Sequence, residues 1–349
     1  MSQSDYIKDI ARYGLENDQA KLLDVLEQLI DHSRKTKKVN FALQLQSILK
    51  ESLRAQKTGV LSSVGSELHK QRLEDRDLGE FILEKITSDY TFDNLVCSEN
   101  VIDELSFFIE EHKSINLLRE FELPVSNKVL FHGPSGCGKT LASYVLAGEL
   151  HKLMYVVNLG AIVSSRLGET SKNLAKIFRR ASAENCVIFI DEFDSLGKVR
   201  DYSQDHGEMK RIVNTILQLL DFLPQECIVI AATNQIEMID EALIRRFDVN
   251  IKFELPTATQ IRKLVDLTLR NGKFTFDNDK AVSAIIKKSI GISYYSIQKT
   301  LITAIKRSVF EASSSKKTVG MINTALWSAL IDAEKKALLK PVSPRKKKA

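Results

Sequence analysis

No stretch of this chain reaches the ~20 consecutive apolar residues a membrane-crossing helix needs, so no membrane partner is expected. The opening residues, MSQSDYIKDIARYG, carry acids early and no apolar segment, which argues against a secretory leader. The four cysteines, Cys97, Cys137, Cys186 and Cys227, show no C-x-x-C spacing. That speaks against a disulfide framework or a zinc site, and predicts reduced thiols and a cytoplasmic location. No internal repeat is evident. What remains is ordinary for a soluble globular chain: 349 residues, 44% hydrophobic and 27% charged, enough for two or three domains.

The formal charge of +5 is local. Residues 340–349, KPVSPRKKKA, hold Lys340, Arg345, Lys346, Lys347 and Lys348 and no acid, which leaves residues 1–339 summing to zero. Net charge alone therefore does not make the body a nucleic-acid binder. Residues 341–349 are expected to form a basic, disordered tail. Two readings of it stand: a solvated terminus, or a contact for nucleic acid or an acidic partner.

Residues 1–86 read as a helical domain. Leu22, Val25, Leu26, Leu29 and Ile30 share one helical stripe, and Phe41, Leu45, Ile48 and Leu49 a second. They predict an αα-hairpin, then a more polar helix after Gly59–Gly65. The hairpin either packs on itself or docks a partner. Residues 87–256 alternate short apolar runs with helical segments. Lys128–Phe131, Met154–Asn158, Val187–Ile190, Ile228–Ala232 and Asn250–Phe253 predict a parallel five-stranded sheet covered on both faces. Residues 257–340 read as helices at Thr259–Asn271, Asp277–Ser289, Tyr294–Ala312 and Val319–Leu339.

The chemistry begins at Gly133-Pro134-Ser135-Gly136-Cys137-Gly138-Lys139-Thr140, which fits the phosphate-wrapping pattern G-x-x-x-x-G-K-[ST]. The apolar run before it and the helical segment from Leu141 place it between a strand end and a helix N-terminus. There, backbone N–H groups and the helix dipole face phosphates. Lys139 would reach the β- and γ-phosphates of ATP, and Thr140 would hold Mg²⁺. Val187–Ile190 then ends in Asp191-Glu192. Asp191 would sit by the Mg²⁺ shell, and Glu192 would polarise the attacking water. Ile228–Ala232 leads to Asn234, placed either to bond the γ-phosphate or water, or to form a turn. Arg245 and Arg246 follow a short helix and suit phosphate by their planar forks.

Together these pieces resemble the AAA subclass of ring-forming ATPases, in a small bacterial-type form with its own N-terminal helical domain. The resemblance covers residues 90–340. It implies an α/β P-loop NTPase core, a helical lid at 257–340, ATP hydrolysis, and a homo-oligomer, usually a hexamer, with ATP at subunit interfaces. By that match Asn234 holds the sensor position, and Arg245 and Arg246 are arginine fingers for a neighbour's ATP. Leu95 and Val96 border the adenine, with Leu141 behind the P-loop. Arg166 and Leu167 align with the central pore loop, where many polypeptide-threading members carry an aromatic two residues before the glycine. Tyr294 and Tyr295 are bulkier than the family's small residues there, and either pack within the lid or stack near the base. Three functions follow: remodelling of a protein partner, an assembly switch for an effector such as a protease, nuclease or defence module, or a nucleic-acid motor or loader.

Overall fold

The computed structural model describes residues 81–157, 159, 170–195, 206–270, 272–315 and 320–339, with residues 6, 13, 25, 26, 28–30, 32 and 33. The main strands are β1 (Ile82–Thr87), β2 (Lys128–His132), β3 (Leu153–Val157), β4 (Val187–Ile190), β5 (Ile228–Thr233) and β6 (Val249–Lys252). They form one sheet in the order β1-β3-β4-β5-β2-β6. The five strands expected from sequence are all present and mutually parallel.

The sheet nevertheless has six strands, not five. The extra one, β1, pairs antiparallel with β3 and falls where the N-terminal helical domain was expected to end. Its residues, ILEKIT, are only partly buried, so they lack the continuous apolar run that marks the central strands. By contrast every residue of β4 and β5 is buried.

Helices cover both faces. One face packs against α1 (Glu99–Lys113) and α3 (Lys139–Glu149), the other against α4 (Thr170–Glu184), α5 (His206–Asp221) and α6 (Glu241–Ile244). The period-two alternation of the strands builds the two cores. Val129 and Phe131 of β2 face the first, and Leu130 faces the second. A short helix, α2 (Ile115–Glu120), follows α1.

Four more helices follow: α7 (Ala258–Thr268), α8 (Asp279–Lys288), α9 (Tyr294–Ser315) and α10 (Thr324–Leu339). They share the first core with the sheet, through Ile261, Val265, Ile297, Leu301 and Trp327. The last begins five residues later than expected. Met321–Ile322 instead forms β8, paired with β7 (Thr275–Phe276), and the Asn323 side chain accepts the Leu326 N–H at 3.1 Å to start the helix.

Near the N-terminus, Tyr6, Val25 and Leu29 cluster with Tyr13, Ile30 is buried and Leu26 is half-buried. Leu22, the second stripe, the third helix, the pore-loop residues Arg166 and Leu167, and the basic tail lie outside the described residues.

His112 closes the last turn of α1 onto the chain before β2, its Nε2 lying 2.8 Å from Ser126 O. Burial, helped by the Lys152 ammonium, pushes its pKa down from 6.5 to about 4. The imidazole is therefore neutral and donates to the carbonyl. The unfolded chain takes up a proton at a pH where the folded one does not. This group's contribution is thus full above pH 6.5 and is lost as pH falls towards 4. We expect the urea midpoint to fall over that window, and the fall to be shallower in His112→Gln. An unchanged pH profile in the variant would contradict the assignment.

Candidate functional site

The site forms where the C-terminal ends of β2, β4 and β5 lie side by side. β2 feeds the loop Gly133–Gly138, which turns directly into α3. The turn requires glycine. Gly133 has φ +135, and a Cβ there would lie 2.0 Å from Phe253 O. Gly136 has φ +73 and would carry its Cβ 2.8 Å from Ser293 Oγ.

Lys139 is the first residue of α3 and is 6% exposed. Its Nζ donates to Gly133 O at 2.7 Å, Pro134 O at 2.9 Å and Asn234 Oδ1 at 2.8 Å. All three acceptors are neutral oxygens. Burial lowers the ammonium's pKa, while the nearby Cys137, Asp191 and Asp194 oppose that shift. A desolvated ammonium held by neutral oxygens is ready for an anion. Next to it, Thr140 Oγ1 donates to Asp191 Oδ2 at 3.1 Å, which sets a hydroxyl and a carboxylate together as hard oxygen ligands.

Beyond Asp191 the chain turns sharply. Glu192 adopts φ 51, a left-handed conformation that costs a non-glycine residue ~1–3 kcal/mol. Its N–H donates to Asp191 Oδ1 at 2.8 Å, and its side chain is exposed. Two contacts that the sequence reading missed hold this turn. Phe193 N–H donates to Ala232 O at 2.9 Å. Thr233 Oγ1 donates to the buried Asp194 Oδ1 at 3.0 Å, and accepts the Gln235 N–H at 2.9 Å. These bonds bracket Asn234 and fix it against the acid pair. Asp194 in the run D-E-x-D, three residues after Asp191, was the available signal.

Leu95 is buried, and its Cδ1 lies 3.7 Å from where a Cβ on Gly138 would sit. Val96 and Leu141 are half-buried against the same core. Tyr294 is also buried, with its hydroxyl 3.0 Å from Gln260 Oε1. Tyr295 is 62% exposed, and its N–H donates to Gly136 O at 3.1 Å.

Arg245 and Arg246 do not join the cluster. Arg245 pairs with Glu241 at 2.6 Å, and both are exposed; Arg246 pairs with Asp221 at 2.6 Å. Two residues on, Asp248 Oδ2 accepts the N–H groups of Asn127 and Lys128 at 2.9 and 3.0 Å. The arginines therefore sit on the segment that leads into β6 and is pinned by Asp248 beside the start of β2, while the phosphate loop leaves the far end of β2, about 15 Å away for a five-residue strand.

A strand–glycine loop–helix unit with a buried lysine, beside a strand ending in two acids, defines a P-loop nucleotide-binding core. The profile of the ATPase family associated with various cellular activities (AAA) matches residues 129–255. An uncharacterized AAA family ATPase of Sinorhizobium fredii is 32% identical over 304 residues, covering 87% of this chain and 88% of that protein. A putative 26S proteasome regulatory subunit homolog of Methanocaldococcus jannaschii is 33% identical over 187 residues, 52% of this chain and 50% of that one. The ATP-dependent zinc metalloprotease FtsH 3 of Sphaerobacter thermophilus is 29% identical over 259 residues, 72% of this chain and 52% of that one. The chain belongs to the AAA family of ATPases. No helix among the described residues is long and apolar enough to cross a membrane.

Thr233→Val takes one donor from the buried Asp194 carboxylate. We expect a stability loss of about 1–3 kcal/mol by denaturant titration. ATP turnover should fall with it, because Asn234 loses its bracket. Wild-type stability and turnover together would show that the Asp194–Thr233 contact holds nothing in place.

Proposed function

We propose that this ATPase works as a ring, with Mg-ATP at the contact between copies, and spends hydrolysis on remodelling a protein partner. The convergence of Lys139, Thr140, Asp191, Glu192 and Asn234 at adjacent strand ends, with Arg245 and Arg246 led away from it, carries this reading.

In it, the loop from Pro134 to Gly138 cradles the phosphates with Lys139, while Leu95, Val96 and Leu141 line the base. Thr140 would hold Mg²⁺, with Asp191 reaching it through water, and the ion would supply positive charge against the phosphate oxygens. Glu192, aimed outward by its left-handed turn, accepts a proton from the attacking water. Asn234 steadies that water or the γ-phosphate, and Lys139 offsets the developing negative charge.

Arg245 and Arg246 serve the ATP of a neighbouring copy, since their own phosphate loop lies at the other end of β2. Residues 257–340 act as the lid, coupled to the nucleotide loop by the Tyr295–Gly136 hydrogen bond. The names of two relatives, a proteasome regulatory subunit homolog and an ATP-dependent protease, favour protein as the partner class.

The test is a pair of variants. Glu192→Gln should bind a fluorescent ATP analogue normally and release phosphate at least ~100-fold more slowly. Its solution mass should rise to a hexamer-sized species with Mg-ATP and not with ADP. Arg245→Ala should lose turnover by a factor of ~10³ while still binding nucleotide. Normal phosphate release by either variant would refute the mechanism. A monomeric Glu192→Gln protein with ATP bound would refute the ring.

A further inference from the structure

The phosphate loop is held from outside at two of its glycines. At Gly133, the carbonyl of Phe253 comes so close that a Cβ would lie 2.0 Å from it, and Phe253 N–H donates to His132 O at 2.8 Å. The Phe253 ring meets Phe131 edge-on, with 5.1 Å between centroids, which seats that contact in the core. At Gly136, Tyr295 N–H donates to the carbonyl at 3.1 Å, and a Cβ would lie 2.8 Å from Ser293 Oγ.

A side-chain bond connects these two contacts. Soon after Phe253, Thr257 caps α7: its N–H donates to Gln260 Oε1 at 2.8 Å, and its Oγ1 accepts the Gln260 N–H at 3.4 Å. The same Gln260 oxygen accepts the Tyr294 O–H at 3.0 Å. Tyr294 is buried, and the next residue is the Tyr295 that holds Gly136. Burial pushes the phenol's pKa up, so the hydroxyl stays protonated and able to donate. A closed circuit results. It runs from Gly133 through the entry to α7, across the Gln260–Tyr294 bond, and back through the start of α9 to Gly136. Glycine or alanine at 294 could not close it.

We propose that Tyr294 is a positioning residue for the ATPase reaction: through Gln260 it latches the helical part onto the phosphate loop and slows the release of bound nucleotide. The proposal rests on the reading of that loop as the ATP cradle. Apolar packing of α7 against α9 is non-directional and lets the two helices slide. The hydrogen bond is directional and selects the one arrangement that sets Tyr295 N–H against Gly136 O. With the bond in place, lifting the start of α9 off Gly136 must also break the link to Gln260 or unseat Phe253 from Gly133. Without it, α9 can lift alone and the loop opens on one side.

The experiment follows the release of N-methylanthraniloyl-ADP from the full chain into excess unlabelled ADP with Mg²⁺, by stopped-flow fluorescence. Tyr294→Phe keeps the buried ring and loses the hydroxyl. It should release the analogue about 5-fold faster, as loss of one hydrogen bond predicts. Gln260→Met keeps the side-chain length and loses the acceptor, and should do the same. The double variant should be no faster than either alone, because both remove one bond. Gln260→Glu keeps an acceptor and should release at the parent rate. A double variant whose effect is the product of the two singles would overturn the latch. A lowered melting temperature in Tyr294→Phe with unchanged release would make the tyrosine a packing residue and overturn it too. A parent that binds no analogue would overturn the ATP cradle and the latch with it, whereas binding with equal release from every variant would overturn the latch alone.

Discussion

A lysine ammonium buried at the foot of a helix is the constraint on which this structure turns. Lys139 is almost fully withdrawn from water, and an ammonium so placed must find oxygens. Two come from the glycine loop above β2, and the third is Asn234, at the end of β5. The three acceptors meet only if β2 and β5 keep their register, with His132 beside Thr233. A slip of one residue would turn Asn234 away and exchange the two faces of the strand, exposing each core to the wrong helices. The site and the sheet are therefore specified together.

The neighbouring strand is tied in by different bonds. Phe193 to Ala232 and Thr233 to Asp194 lock the turn after β4 to the end of β5. Asp191 and Glu192 then stand in a fixed relation to Asn234. The left-handed backbone at Glu192 persists because the flanking residues, Asp191 on one side and Phe193 on the other, are both held.

How much of this was legible in the sequence follows from the reach of each signal. The loop residues, the acid pair and Asn234 declare themselves because strand ends and motif lie within a few residues of one another. The central strands are legible because burial on both faces makes them continuously apolar. β1 is not, because an edge strand with Glu84 and Lys85 carries no such run. Tyr294 and Tyr295 could not be told apart in advance. Adjacent helical residues point about 100° apart, and only the packing of α9 decides which is buried. The pairing of Arg246 with Asp221 links residues far apart in sequence, and no local pattern encodes it.

The two ends of β2 give the molecule a direction. The phosphate loop leaves the far end of β2, whereas the segment carrying Arg245 and Arg246 is pinned to its start through Asp248. One chain thus presents a phosphate cradle and, elsewhere, arginines whose partners in the chain are carboxylates. Each end lacks what the other supplies. In the proposed assembly a second copy must therefore enter head to tail, with its arginines towards the cradle. The arginines would have to exchange Glu241 and Asp221 for phosphate oxygens. Those exposed or half-exposed ion pairs are weak enough for a buried, doubly charged terminal phosphate to compete with them.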